Sequence, residues 1–389
     1  MHEGRTVFAQ LMEFLPKHEF DRCVERYHGN LRVRSMTCYD QFLIMAFAQL
    51  TYRESLRDIA IGLQAQSVKL YHCGIRSTGA RSTLADANEL RDWRIFADFA
   101  QVLIRRASTL YAGEEFGAEL EQTAYALDST TIDLCLSLYP WAKFRRTKGA
   151  VKMHTLLALH GNYPSLVIIT PGNVHDVNIL DEIPLEAGSF YVMDRAYLDF
   201  KRLHRIHRHS AYFVTRAKSN SSFVRRYSHP VDKTTGLRFD QTVSLSGYRS
   251  HHEYPDTLRR IGFTDLDVGT RLVFLTNNVM VPALTVAQLY RSRWQVELFF
   301  KWVKQHLRIK AFYGTSENAV KTQIWSAISI YVLVAIFRKQ LRLPQSSYTI
   351  LQILSLTLFE RMPILQAFAV PANQTQTLDL DNQLYLRGF

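Results

Sequence analysis

The chain has 389 residues, with 47 Lys and Arg against 35 Asp and Glu, a formal charge of 47 − 35 = +12. At 47% hydrophobic residues it can bury a large core, which excludes disorder as its overall state, and its length suits two or three domains. Cys23, Cys38, Cys73 and Cys135 have no paired spacing, which argues against a zinc site or a disulfide framework and fits a reducing cytoplasm. The opening MHEGRTVFAQ lacks the layout of a signal peptide. The most apolar stretch, Ile324 to Phe337, falls short of the ~20 residues that span a bilayer, so a buried core helix and no membrane partner are expected.

In chain order, residues 1–110 read as helical, with helix-period apolar spacing over Phe8 to Phe14 and Phe42 to Tyr52. Ser55 is placed to cap a helix beginning at Leu56. A break at Gly62 to Ser67 followed by Val68-Lys69-Leu70-Tyr71 suggests a helix-turn-helix DNA reader. From about residue 122 the texture changes to short β-prone runs: Thr123 to Leu127, Thr131 to Leu136, Val151 to Leu159, Leu166 to Thr170, Phe190 to Met193 and Tyr212 to Thr215. A helical stretch around Asp199 to His207 lies between the last two, so an α/β core is expected. Residues 218–270 are polar and read as a β-rich insertion, after which Arg271 to Thr276 returns to a buried strand. Leu284 to Lys310 is expected as one long helix and the chain to about Phe368 as apolar helices, with a polar peripheral tail over Val370 to Phe389. The domains expected are 1–110, helical and DNA-binding; 120–345, the α/β domain; and 346–389, a helical segment and tail.

The positive charge is concentrated in the middle of the chain. Residues 1–110 carry 15 basic and 12 acidic side chains, whereas 195–260 carry 14 against 5, and 291–310 carry six against Glu297 alone. Lys143, Arg145, Arg146, Lys148 and Lys152 lie within 141–152 with no acid among them. Three acid-poor clusters favour a groove that tracks phosphates over separate solvated faces.

Two carboxylates sit at the ends of apolar strands: Asp128 after Ala124 to Leu127, and Asp194 after Phe190 to Met193. A capping or turn role explains either one alone. Two in one α/β domain, with no Cys/His cluster, suggest convergent hard-oxygen ligands for Mg²⁺ or Mn²⁺. Asp133 and Asp199 have simpler explanations, in a strand and at a helix start. The third candidate is Glu297. On a helix, Tyr290, Arg293, Glu297 and Lys304 fall within an arc of about 60°, beside an apolar stripe of Val296, Val303 and Leu307. An exposed salt-bridged face would read the same, since Arg293 and Glu297 are an i,i+4 pair. Phosphoryl transfer, however, needs a metal ligand beside cations for phosphate oxygens, and this ridge supplies both.

The Tyr-x2-Arg-x3-Glu-x6-Lys spacing resembles the YREK signature of bacterial insertion-sequence DDE transposases of the family designated IS-four. Leu127-Asp128-Ser129-Thr130 and Asp194-Arg195-Ala196-Tyr197 resemble the motifs around that family's first and second Asp. The resemblance spans roughly 120–340. It implies an RNase H-like core with the β-rich insertion between the second Asp and the Glu, a helical accessory domain before it and helices after it. It also implies Asp128, Asp194 and Glu297 as a catalytic, metal-binding triad for Mg²⁺ or Mn²⁺, and Tyr290, Arg293 and Lys304 as contacts to the transposon end. Trp294 and the cluster Arg145, Arg146 and Lys148 are further DNA-binding candidates. The expected protein is a cytoplasmic, nucleoid-associated homodimer on double-stranded DNA, which cuts at terminal inverted repeats and joins the 3′-OH to target DNA. The alternatives are an RNase H-like nuclease without strand transfer, or a domesticated DNA-binding protein. Some relatives carry a base-stacking Trp in the insertion. None lies within 218–270, which offers Phe223, Tyr227, Phe239 and Tyr248 instead.

Overall fold

A computed structural model describes residues 4–76, 80–114, 120, 122–305 and 312–369. Its centre is a ten-stranded sheet. The first half is built from β1 (Ala124–Leu134), β2 (Lys143–Arg145), β3 (Lys148–Ala158), β4 (Tyr163–Pro171), β5 (Phe190–Met193) and β6 (Tyr212–Arg216). The two runs read separately around Asp128 form a single strand, β1, because β3 pairs with it continuously from Tyr125↔Ala158 to Leu134↔Gly149.

β1, β3 and β4 make an antiparallel meander. β5 then lies parallel to β1, and β6 parallel to β5. The spatial order β4-β3-β1-β5-β6 is RNase H-like, as the sequence implied. The expected insertion extends this sheet. β7 (Phe223–His229), β8 (Leu237–Leu245), β9 (Leu258–Thr264) and β10 (Arg271–Thr276) are antiparallel neighbours, and β10 joins the core by pairing with β6.

Helices cover the sheet. The helix Glu317–Gln340 contains the apolar stretch Ile324 to Phe337, and Val320 to Phe337 are buried within the protein, apart from Lys321. Ser316 caps it by accepting from the Ala319 N–H at 3.1 Å. The N-terminal helices pack onto it: Tyr111 donates to the Ala335 carbonyl at 3.0 Å, and Asn318 donates to the carbonyls of Asn88 and Arg91. The chain after Gln340 returns to the N-terminus, where the Gln10 amide donates to the Met362 carbonyl and accepts from the Ile364 N–H. One hydrophobic cluster runs from Val7 to Phe368.

Two expectations need correction. Ser55 does cap the helix Leu56–Ala65, but the next helix is a single turn, Ser67–Leu70. One turn is too short to lie along a major groove, so the expected helix-turn-helix pair is not formed there. The long helix expected over 284–310 is broken at Arg293 into Ala283–Ser292 and Trp294–Gln305. There the Arg293 N–H bonds to the Tyr290 carbonyl and the Val296 N–H to the Arg293 carbonyl, a tightened three-residue spacing. The residues expected to continue it, Leu307 among them, and the tail after residue 369 lie outside the described residues.

Candidate active site

The parallel pairing of β1 with β5 runs from Ala124↔Phe190 to Leu127↔Met193. Asp128 and Asp194 are the next residues on those two strands, so the register sets them side by side. Asp128 Oδ1 accepts from the Ser129 N–H at 2.8 Å. Asp194 caps the short turn Arg195–Tyr197, with Oδ1 accepting from the Ala196 N–H at 2.7 Å. Both carboxylates are half-buried.

Glu297 arrives from the first turn of Trp294–Gln305, and Arg293 joins it to the strand. Arg293 Nη1 donates to Asp128 Oδ2 at 2.7 Å, and its Nη2 to Glu297 Oε1 at 2.6 Å. The guanidinium side chain is only 14% exposed, against 20% for Asp128 and 33% for Glu297. The helical wheel sets Arg293 on one ridge with Glu297, facing phosphates, and gives no contact with Asp128. Arg293 is instead a bridge between two carboxylates, because the break in the helix turns it toward β1. Lys304 Nζ donates to the Thr131 carbonyl at 2.8 Å, fastening the far end of this helix to the same strand.

Burial, reinforced by Asp194 and Glu297, pushes the Asp128 carboxyl up to about 6, against the opposing pull of Arg293 and the Ser129 N–H. Tyr290 is half-buried, its ring 4.9 Å from Phe274 and 5.8 Å from the Arg293 guanidinium. Burial raises its phenol, while Arg293 and Arg216 lower it. Arg216, at the end of β6, was not singled out in the sequence. Its position at the carboxyl end of a parallel strand, like that of Asp194, was the available signal.

The other candidates take no part in these bonds. Arg145, Arg146 and Lys148 are exposed on the β2–β3 hairpin, and Trp294 is exposed beside the bridge. In the insertion, Phe223 and Phe239 pack against the Arg260 guanidinium, while Tyr227 is exposed and Tyr248 is 93% exposed.

Residues 119–333 match the transposase DDE domain family. The chain belongs to the DDE transposases. Residues 3–76 match a domain of unknown function. The relative y4zB of Sinorhizobium fredii, named as a putative transposase, is 33% identical over 72% of this chain and 78% of its own length. A probable transposase for insertion sequence element IS5377 from Geobacillus stearothermophilus is 31% identical over 54% of this chain and 55% of its own. A putative transposase for insertion sequence element IS4SA of Synechocystis is 25% identical over 74% of this chain and 77% of its own. A solved piggyBac transposase synaptic complex with hairpin DNA aligns with 96% of this chain and 83% of that one, at 11% identity and a TM-score of 0.49, a likeness too slight to bear on the fold.

This transposase therefore acts on DNA, and its family implies a divalent metal. Among the described residues no three His, Cys, Asp or Glu side chains come to ligand spacing, and the Arg293 guanidinium stands between Asp128 and Glu297. The donor chemistry nevertheless fits a hard cation. The three groups are carboxylates, and beside burial the like charges of Asp194 and Glu297 both act on Asp128, so acidic oxygens converge on one place.

Proposed function

We propose that this transposase binds the terminal inverted repeats of its own insertion sequence, cleaves the DNA at the ends and joins the freed 3′-OH to target DNA. Asp128, Asp194 and Glu297 would hold the divalent cation, Mg²⁺ or Mn²⁺, which supplies Lewis acidity for phosphoryl transfer when bound. The observation that carries this assignment is the β1–β5 register, which sets Asp128 beside Asp194, together with Arg293, which reaches Asp128 across 165 positions of sequence and links it to Glu297.

Arg293 has a second role in this reading. DNA phosphate competes with the carboxylates for its planar donor fork, so the guanidinium moves from neutralising acids to neutralising the substrate. Lys304 adds positive charge from the same helix, and Tyr290 orients the backbone through its hydroxyl. Cleavage and joining are both in-line displacements at phosphorus, so one constellation serves both. The YREK spacing supports membership of the IS-four group, and the need to hold two ends together supports a homodimer on double-stranded DNA in the cytoplasm. The test is cleavage of a duplex carrying the element's own ends. Asp128→Ala, Asp194→Ala and Glu297→Ala should each abolish cutting while end binding persists in gel shifts. A variant that cuts at the wild-type rate removes its residue from the triad.

A further inference from the structure

A second polar group lies behind Asp128. Asp176, at the start of the turn Asp176–Asp181 after β4, comes from an element that supplies none of the triad. Ser129, the neighbour of Asp128, donates from Oγ to Asp176 Oδ1 at 2.7 Å. Lys152 on β3 donates to the same oxygen at 3.2 Å and to the Val174 carbonyl at 2.9 Å, with its side chain 14% exposed. Asp176 is thus clamped between two strands of the sheet, although β1 and β3 already pair through their backbones.

Tyr197 lies in the turn capped by Asp194. It is buried, yet its hydroxyl makes no hydrogen bond. Burial raises its phenol most, the carboxylates of Asp128, Asp176 and Asp194 raise it further, and the Ser129 hydroxyl lowers it. A buried phenol without a partner is destabilising, so its presence among carboxylates needs an explanation.

We propose that Tyr197 and Asp176 are positioning residues for Asp128: the Tyr197 hydroxyl supplies the hydrogen bond that Asp128 loses when Arg293 turns to DNA, and Asp176 fixes the strand through Ser129. This rests on the triad and on the exchange of Arg293 from carboxylate to phosphate. Asp128 has two donors, its neighbouring Ser129 N–H and the Arg293 guanidinium. Once the guanidinium leaves, one carboxylate oxygen is without a donor, and the unused phenol is a group able to replace it without adding charge. The carboxylate then keeps its orientation while its negative charge remains available to a metal ion.

The test uses the full chain, a duplex carrying the element's ends, and Tyr197→Phe. This change deletes only an unpartnered hydroxyl, so the melting temperature should be unchanged or higher and end binding should be normal. Single-turnover cleavage should fall at least tenfold, and half-saturating Mg²⁺ should rise severalfold. The increase in melting temperature caused by Mn²⁺ alone should shrink in parallel. Asp176→Asn should shift the Mg²⁺ dependence in the same direction. Wild-type cleavage and Mg²⁺ dependence in Tyr197→Phe overturn the proposal. Asp128→Asn is the control: if it still cleaves, the assignment of the site fails, whereas an inactive Asp128→Asn beside a fully active Tyr197→Phe overturns the positioning network alone.

Discussion

Arg293 shows how far a single side chain depends on its surroundings. Its spacing to Glu297 could be read in the sequence, but its bond to Asp128 could not, because the two are 165 positions apart. A lysine there cannot span both carboxylates with one ammonium. Arg293→Lys should therefore lower cleavage at least about tenfold, or ~1.4 kcal/mol in the barrier, as measured by single-turnover kinetics. Asp128 yields a pH prediction. Its carboxyl is raised to about 6 by burial and by its acidic neighbours, above the ordinary value of 3.8. The metal-free folded state therefore holds this proton more tightly than the unfolded chain does. That contribution to stability is fully present below about pH 4 and is lost as pH rises through about 6. Relative to Asp128→Asn, the wild type should lose on the order of 2 kcal/mol across this window in denaturant titrations. Proton and metal compete for this carboxylate, so the half-saturating Mg²⁺ for cleavage should fall as pH rises through about 6.

Among the elements, the insertion shows most clearly how sequence texture becomes architecture. Its polar composition suggested strands, and the strands are there, yet they form an extension of the main sheet attached through β10 and β6. A buried ion pair helps hold it. Arg259 on β9 donates from Nε and Nη2 to Asp240 on β8, at 2.9 and 2.7 Å, and from Nη1 to the Val281 carbonyl at 2.6 Å. Both side chains are almost wholly buried. Removing the acid leaves a guanidinium without its counter-charge, so Asp240→Ala should destabilise the protein by about 3–5 kcal/mol in denaturant melts. A loss under about 1 kcal/mol would mean that water reaches the pair. The break at Arg293 escaped the helical wheel for a related reason. Periodicity registers apolar burial, whereas the side chain at this turn is held by a carboxylate on β1.

Across the molecule, the long helix Glu317–Gln340 joins N-terminal helices, sheet and C-terminal helices in one core. The regions expected as 1–110 and 346–389 meet each other there through Gln10. Composition could show that each region was helical and apolar, but not which helices would share a core. Charge acts over the same range. Arg145, Arg146 and Lys148 are exposed together on one hairpin, free of the triad's constraints. If that hairpin lies on DNA, neutralising all three should reduce the slope of log affinity against log salt by up to about 3. An unchanged slope in binding titrations would place the hairpin off the nucleic acid.

What the amino-acid order decided without help was local: apolar runs ending in Asp128 and Asp194, the cap at Ser55, the polar texture of 218–270 and the spacing from Tyr290 to Lys304. Each depends on contacts within a few residues, or on a helical or strand period that the chain carries along its length. Tertiary structure alone decided the register that sets Asp128 beside Asp194 and the bridge from Arg293 to both ends of the chain's acidic set. It also placed Asp176 and Tyr197 behind the site. Neither residue bears a periodic signal, since both lie in short turns, and the bond that ties Asp176 to Ser129 spans 47 positions. Hydrogen bonds and charges at such separations are chosen by the packing of the whole sheet, which no stretch of sequence contains.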